Sequence, residues 1–389
     1  MLLWCPEKDV ASILPRTIRN RTKLSLLMEM TCNIEEIVSS DELVSAKQKK
    51  RDQVVELDSA KRVAKLMGES GVSIPPERET TLQKQIKEVV GRSKSNSAGG
   101  ETEATSTRAR GWHEELEELG EKFKDVPTDS KGRYIMRRIP TKIVEDPQFA
   151  RFLELTRNFK AAQKRTVLIE ELLQQQAEVD ALDLQAHAPD LKESERTTAL
   201  AKAQQIRQQI EEKLEDTKGH ATRDEFEFFK HDRKAFASNP PLLMWDHRRA
   251  EPLKAYKEEF YPEKPLSLLD VQPRHPLPYR LSGAQLLFFR MLTTALWQNR
   301  GDNLTALDRI APGAFDAVTP NVSSLTDPTR GGERNILDLT IHRLTPEMAY
   351  GLTKAWFDWP LRPNLGDLIH RGSLVDDIQA DEGIRPRGR

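Results

Sequence analysis

The chain has few cysteines and lacks long apolar runs. Its 389 residues include two cysteines, Cys5 and Cys32, both in apolar contexts, which predicts buried reduced thiols rather than a disulfide or a catalytic nucleophile. Two cysteines cannot build a four-ligand zinc site, and the eight histidines show no paired ligand spacing. No run of 18 apolar residues exists, so we expect no membrane span.

The chain also lacks an excess of charge of either sign. Its net charge is −1, which excludes a global basic field, so any nucleic-acid site must be a local patch. Only 37% of the residues are hydrophobic and 31% are charged, a composition diluted by solvated helix or disorder.

The first residues, MLLWCPEKDV, show no targeting segment: they form neither a secretory signal nor an Arg-rich presequence. They predict a strand from Met1 to Cys5 that stops at Pro6. A chain that starts inside a core strand is expected to be a fragment of a longer protein, and a short protein with an unusual start is the alternative.

Composition and periodicity divide the chain into five segments. We predict a strand and helix in 1–40, a charged helical and disordered insertion in 41–240, strands in 241–280, a small helical domain in 281–365 and a disordered tail in 366–389.

The insertion contains several helical patterns. A charged helix is predicted over Lys47 to Met67, and disorder over Ser93 to Arg110. Two apolar stripes at helical spacing predict an antiparallel hairpin that covers itself or the main domain, with a partner-docking surface as the alternative. The stripes are Phe149, Phe152, Leu155 and Phe159, and Leu200, Ala203, Ile206, Ile210 and Leu214.

Outside the insertion, turn and cap signals predict one strand and two capped helices. Leu266 to Val271 has strand composition between prolines. Ser282 with Gln285 fits a capping box, and Thr345 precedes a helix with Pro346 at its first position.

Catalytic and cofactor signatures are missing from the sequence. No glycine-rich turn follows a strand and opens a helix, as a methyl donor of the adenosylmethionine type requires. The string Asn239 to Leu242 (NPPL) resembles an Asn-Pro-Pro-Tyr methyltransferase loop, but Leu242 replaces the aromatic residue that would stack on a flipped base. We therefore interpret it as a proline-rich connection and predict no catalytic, cofactor-binding or metal-binding residues.

Two basic clusters remain as candidate nucleic-acid sites. Guanidinium groups near a helix start suit phosphates, and arginine beside an aromatic ring suits unpaired bases. Ordinary surface charge and a buried tryptophan are the alternatives. The clusters are Arg16, Arg19, Arg21 and Lys23, and Trp245, Arg248, Arg249 and Lys254.

Several motifs occur in the order found in one family. They are NRTKLSLLMEMTCNIEEI (20–37), WDHRRAEPL (245–253), FYPEKPLSLLDVQP (260–273), LTALDRIAPGA (304–314) and LTPEMAYGLTKAWFDWPLRP (344–363). Together they resemble the late part of the rRNA adenine N6-dimethyltransferase family, most of all its fungal mitochondrial transcription factor B branch. The resemblance covers under half of the chain, and the motifs at 20–37 and 260–273 are expected to be spatial neighbours.

The resemblance implies an α/β fold: the C-terminal part of a Rossmann-like methyltransferase domain, a long mostly helical insertion and a small C-terminal all-α domain. It implies a mitochondrial matrix protein that binds mitochondrial DNA or rRNA and assists mitochondrial RNA polymerase at promoters. S-adenosylmethionine is the family's cofactor, but this chain alone is not expected to bind it. Two alternatives stay open: an rRNA adenine dimethyltransferase completed by an upstream cofactor-binding half, and a helical adaptor that acts through the insertion.

Overall fold

A computed structural model describes residues 1–40, 51–80, 82–84, 87, 112–124, 126–127, 139–187, 192–217, 220–261, 263–297 and 303–370. The chain divides into two units. Unit 1 comprises Met1–Ser95 and His231–Arg389, and unit 2 comprises Asn96–Lys230. The predicted disordered stretch Ser93 to Arg110 and the tail beyond residue 370 lie outside the described residues.

The strands are β1 (Leu2–Pro6), β2 (Cys32–Ser39), β3 (Leu253–Lys254) and β4 (Leu266–Pro273). The α-helices are α1 (Glu7–Ile13), α2 (Lys23–Thr31), α3 (Gln53–Ser70), α4 (Trp112–Lys122), α5 (Thr141–Val144), α6 (Pro147–Ala186), α7 (Glu193–Asp216), α8 (His220–Ala237), α9 (Gly283–Trp297), α10 (Leu307–Ile310), α11 (Ala314–Val318), α12 (Pro346–Asp358) and α13 (Leu365–His370). None of these described helices combines the length and apolar character needed to cross a membrane.

Unit 1 contains a four-stranded mixed sheet in the order β1-β4-β2-β3. Strand β4 is antiparallel to both of its neighbours, whereas β2 and β3 are parallel. The register places Cys32 opposite Pro273 and Ile34 opposite Val271. The expected proximity of the two motifs, more than 200 positions apart, is therefore confirmed, and the coarse α/β assignment holds.

One face of this sheet is packed into a core. Alternation along β4 buries Ser267, Leu269 and Val271, as expected for a strand with one covered face. The apolar residues that pack there come from the sheet, α1 and a turn near residue 245: Cys5, Val10, Leu14, Ile34, Trp245, Leu269 and Val271. Both cysteines are free thiols.

Two elements of residues 1–40 were not predicted. Helix α1 begins directly after Pro6, where the sequence suggested a loop, and strand β2 follows α2. The sequence of β2 does not show the usual alternation of apolar and polar residues, because the buried position between Ile34 and Val38 holds the charged residue Glu36.

The C-terminal part of unit 1 is a compact set of helices and short 3-10 turns around a core that includes Phe288, Leu292, Leu352 and Trp356. Both predicted caps are confirmed. The Gln285 N–H donates to Ser282 Oγ at 3.3 Å, and the Met348 N–H donates to Thr345 Oγ1 at 3.1 Å.

The division of the chain differs from the predicted insertion at 41–240. Helix α3 matches most of the predicted Lys47 to Met67 helix, but its residues belong to unit 1 with the sheet. The end of α8 from His231 onward also belongs to unit 1. The segment that forms a separate unit is therefore shorter than composition alone suggested.

Unit 2 contains the predicted helical hairpin, with a different pairing of stripes. The 40-residue α6 packs its second half, including Ile169, Leu172 and Val179, against Ala203, Ile206, Ile210 and Leu214 of α7. The stripe that begins at Phe149 instead packs against a small aromatic core with Phe123. The helix is roughly 60 Å long, so its two halves have different neighbours.

We predict that Gly332→Ala destabilises unit 1, because a Cβ there would lie 2.5 Å from the Ser324 carbonyl oxygen and 2.6 Å from that of Leu325. Backbone must move, so the loss should be about 2 kcal/mol or more. The matched change Gly68→Ala meets nothing within 4 Å inside α3 and should stabilise by up to about 1 kcal/mol. Urea unfolding of both variants checks this, and equal effects would contradict it.

Candidate nucleic-acid interface

The first basic cluster lies on a short structured segment between α1 and α2. A 3-10 turn spans Ile18–Asn20, and Thr22 caps α2: its Oγ1 accepts from the Ser25 N–H at 3.2 Å while Ser25 Oγ accepts from the Thr22 N–H at 2.9 Å. This capping box fixes the direction in which the chain enters α2. The four cations of the cluster are therefore held by backbone structure and do not lie on a free loop.

Arg21 points into the protein. Its side chain is buried and paired with Glu29 of α2, with Nε 3.1 Å from Glu29 Oε1. Its Nη1 donates to the carbonyl oxygens of His342, at 3.0 Å, and Leu344. The Arg21 carbonyl oxygen in turn accepts from Trp297 Nε1 at 3.1 Å. One residue thus ties α2 to α9 and to the turn before α12.

Arg16, Trp245 and Arg248, from both predicted clusters, meet in one place. The guanidinium carbons of Arg16 and Arg248 lie 4.3 and 4.1 Å from the centroid of the Trp245 ring. Trp245 is 1% exposed, so its ring is a platform for the protein's own cations and is closed to a nucleic-acid base. Cation–π contacts of this kind are strongest when, as here, they are shielded from water.

These cations are balanced by buried acids. Arg16 Nη2 donates to Glu36 Oε2 at 2.7 Å, and Arg248 Nη2 donates to Glu251 Oε1 at 2.6 Å. Arg248 Nη1 also donates to Ser59 Oγ, at 2.9 Å. Burial of an unpaired charge is costly, so each buried cation requires its acid.

Asp246 extends the network into α3. Its Oδ1 accepts from Ser59 Oγ and its Oδ2 accepts from Arg51 Nη2, both at 2.6 Å. Arg51, Ser59 and Asp246 are all buried. This network explains why the segment that carries α3 belongs to the sheet unit.

The remaining predicted cations are closer to solvent. Arg19 is exposed on the 3-10 turn, and Lys23 is partly buried at the first position of α2. The Arg249 side chain is 80% exposed and pairs with Glu35 at 2.9 Å. Lys254 Nζ lies 5.3 Å from the Tyr256 ring centroid.

The predicted surface patches must therefore be corrected. Arg21, Trp245 and Arg248 are buried, and Arg16 is partly buried over the Trp245 ring. Arg19 and Arg249 are exposed, and Lys23 and Lys254 are partly buried. The physical reason is that acids a few to 20 positions further along the chain neutralise these cations: Glu29 pairs with Arg21, Glu36 with Arg16 and Glu251 with Arg248.

Most of the buried network was not predicted. Asp246 lies within the quoted motif at 245–253, but Arg51, Ser59 and Asp232 lie in no motif. Asp52 offered a local signal, because an aspartate before an apolar helical pattern is a common cap; its Oδ1 accepts from the Val54 N–H at 2.9 Å.

Several titratable groups of unit 1 are perturbed by burial. Desolvation raises the pKa of Asp232 to about 7, although its carboxylate accepts from the Ile18 N–H at 2.9 Å. Burial also raises the pKa of Glu7, and the pKa of the Cys5 thiol to about 11. Cys5 is therefore a protonated thiol at neutral pH, which is unsuited to nucleophilic chemistry.

The string Asn239 to Leu242 occupies a structural position. Leu242 packs beside Ile18, Ala235 and Leu243, and its N–H donates to the Ala235 carbonyl at 2.9 Å. It forms the connection from α8 to the turn that carries Trp245, in agreement with the interpretation as a proline-rich connection.

In the family, S-adenosylmethionine binds at a glycine turn that follows a strand. Strand β1 leads directly into α1 at Glu7, and β4 is followed by Arg274, so no glycine turn lies at the carboxyl end of either strand. Within the described ranges no group of three His, Cys, Asp or Glu side chains could hold a metal ion.

Comparison with known proteins identifies no relative: no family model, no curated protein and no solved structure matches the chain. The resemblance to the dimethyltransferase family thus depends on the quoted motifs.

We predict that Asp246→Ala destabilises unit 1 by about 3–5 kcal/mol, because it leaves the buried Arg51 without its acid. The control Asp58→Ala breaks a pair whose side chains are 54% and 48% exposed and should cost under about 0.5 kcal/mol. Urea unfolding followed by circular dichroism measures both. Similar losses in the two variants would show that the network is not needed.

Asp232 should make stability depend on pH. Its folded pKa of about 7 lies above the ordinary 3.8, so between about pH 4 and 7 the folded state holds a proton that the unfolded state has lost. The stability that this group contributes is present at low pH and decreases as pH rises through 7, by up to about 1.4 kcal/mol per pH unit.

The test of this dependence is Asp232→Asn, which cannot titrate. The difference in unfolding free energy, wild type minus variant, should decrease from about pH 5 to 7 and be constant above about pH 8. Parallel curves for the two proteins would exclude the effect. Asp58→Asn, at an exposed position, should give a curve parallel to wild type.

Proposed function

We propose that the protein is a mitochondrial transcription factor of rRNA adenine dimethyltransferase ancestry that binds nucleic acid and assists mitochondrial RNA polymerase at promoters. One observation carries the proposal: the two most specific motifs of the resemblance, far apart in sequence, are adjacent hydrogen-bonded strands, and a helical region follows them in the expected order.

The sheet supports the finer assignment as the late part of a Rossmann-like domain. Strands β1 and β2 point in the same direction, since each is antiparallel to β4, and helices α1 and α2 connect them. The antiparallel strand β4 lies between β1 and β2, and mixed sheets are common among doubly wound folds.

The nucleic-acid site that we propose is the segment around Arg19 and Lys23. Arg16 and Arg21, on either side of Arg19, are held by Glu36 and Glu29. The segment between them is thereby fixed, and Arg19 is presented from a rigid turn. Because the backbone of the turn is already ordered, only the Arg19 side chain loses conformational freedom when it meets a phosphate.

The resemblance gives Arg19 and Lys23 no role in catalysis. The network around Trp245 and Asp246 contains no unpaired nucleophile that could have a catalytic role. Binding to the nucleic-acid backbone is consistent with the near-zero net charge, because a few local cations suffice for a weak, salt-dependent contact.

We predict that Arg19→Ala/Lys23→Ala weakens binding to a fluorescein-labelled DNA duplex. The slope of log affinity against log salt concentration is negative. If each residue contacts one phosphate, the slope should become less steep by about 1.8 in the variant. Fluorescence anisotropy over a salt series measures this. The control Lys61→Ala/Lys65→Ala removes two exposed cations of α3 and should leave the slope unchanged; equal losses in the two variants would remove the site from the proposal.

A transcription assay with the mitochondrial RNA polymerase of the same species tests the role at promoters. The protein should stimulate initiation on a closed promoter and be dispensable on a template with a preformed bubble. Absence of stimulation on the closed promoter would refute the function even if DNA binding is found.

A further inference from the structure

A groove runs along one side of α12. It has a volume of about 520 Å³ and lies between this helix and the segment 317–324. The α12 residues Glu347, Tyr350, Lys354 and Asp358 line it and recur at a spacing of three or four positions, so they share one face of the helix. The groove is therefore about three helical turns, or roughly 16 Å, long. Its volume is typical of small-molecule sites.

Small residues form the floor of the groove. Gly351 of α12 faces Val322, and a Cβ at Gly351 would lie 2.8 Å from Val322 Cγ1, so glycine allows the helix to approach this segment closely. Ser324 also lines the groove and is only 4% exposed. Its hydroxyl has no hydrogen-bond partner in the described part of the chain. This hydroxyl can therefore donate to, or accept from, a ligand in the groove.

Two opposite charges lie one helical turn apart on the same side of the groove. Lys354 and Asp358 are both exposed, and among the described residues no ion pair joins them to each other or to a third group. Their order contributes to this, because a lysine that precedes an acid by four positions is the less favourable arrangement of such a pair. Lys354 Nζ instead lies 5.5 Å from the Tyr350 ring centroid. Glu347 is already paired with Arg330, at 2.6 Å.

We propose that this groove binds a free α-amino acid with an aromatic side chain. Such a molecule carries a carboxylate and an ammonium group on one carbon atom. The carboxylate accepts from Lys354 Nζ and the ammonium donates to the Asp358 carboxylate, and these charge-assisted hydrogen bonds fix its orientation. The Ser324 hydroxyl adds a third polar contact. The partly buried rings of Tyr350 and Trp359 provide the aromatic surface on which the ligand side chain packs.

The charges favour this class of ligand over others. A nucleotide phosphate near Lys354 would also meet the carboxylate of Asp358, which disfavours it. A simple amine or a simple acid would pair with one of the two groups only. An internal peptide segment has neither the free ammonium nor the free carboxylate of an α-amino acid. Binding in this groove does not require the nucleic-acid contact at Arg19.

Saturation-transfer NMR of the full chain with L-phenylalanine, titrated to about 10 mM, tests the proposal, since so small a ligand gains limited binding energy. Wild type should bind L-phenylalanine. It should bind 2-phenylethylamine, which lacks the carboxylate, and 3-phenylpropionate, which lacks the ammonium group, about tenfold more weakly or less tightly still. Absence of saturable binding of L-phenylalanine, or equal affinity for all three molecules, would overturn the proposal.

Single substitutions assign the contacts. Lys354→Met should weaken L-phenylalanine binding about tenfold and leave 2-phenylethylamine binding unchanged, because that molecule has no carboxylate to lose. Asp358→Asn should likewise weaken L-phenylalanine binding and leave 3-phenylpropionate binding unchanged. Unaltered L-phenylalanine binding in both variants would exclude the groove as the site.

A matched control separates the groove from general surface charge. Lys61→Met/Asp58→Asn removes an exposed lysine and aspartate of α3 and should bind L-phenylalanine like wild type. A loss in this control as large as in Lys354→Met would show that binding does not depend on the groove. Unchanged melting temperatures show that each variant is folded.

Discussion

The buried guanidinium of Arg21 is the constraint on which unit 1 depends. A charged group taken out of water must have each of its donors satisfied, and Arg21 meets this need only where α2 and the turn at Ile341–Arg343 come together. Its own carbonyl receives Trp297 from α9. The helical C-terminal part of unit 1 and the segment that precedes β2 are thus held in one fixed relation. Apolar packing of Leu26 and Met30 against Phe289 and Ala349 surrounds this junction.

A second network of buried polar side chains lies next to the sheet. Trp245 with Arg16 and Arg248, and Asp246 with Arg51 and Ser59, replace part of what would ordinarily be an apolar core. Such networks contribute less net stability than apolar packing, but they tolerate few alternative arrangements, because a displaced strand or helix would leave a buried charge unpaired. Three segments of the chain meet in it: the one around Arg16, the one that carries Arg51 and Ser59, and the turn with Trp245 and Asp246.

Much of the local structure was predictable from the sequence, because it depends on neighbours. The capping box at Ser282, the cap at Thr345 and the stripe that continues along α7 are short-range patterns, and the structure contains them. Strand β2 was missed because Glu36 occupies a buried position. The site was predicted less well. The four cations from Arg16 to Lys23 look alike in sequence, and their separation into buried and solvent-accessible residues depends on acids and carbonyls that only the folded chain brings near, such as His342 for Arg21.

The division of unit 1 into two stretches of chain has a consequence for synthesis on the ribosome. Strands β1 and β2 are made before β4, which lies between them and follows only after the whole of unit 2. At roughly 5–20 residues per second, the two strands wait on the order of tens of seconds for the strand that joins them. During that interval the strand edges that β4 will pair with are open, while unit 2 can already form its hairpin.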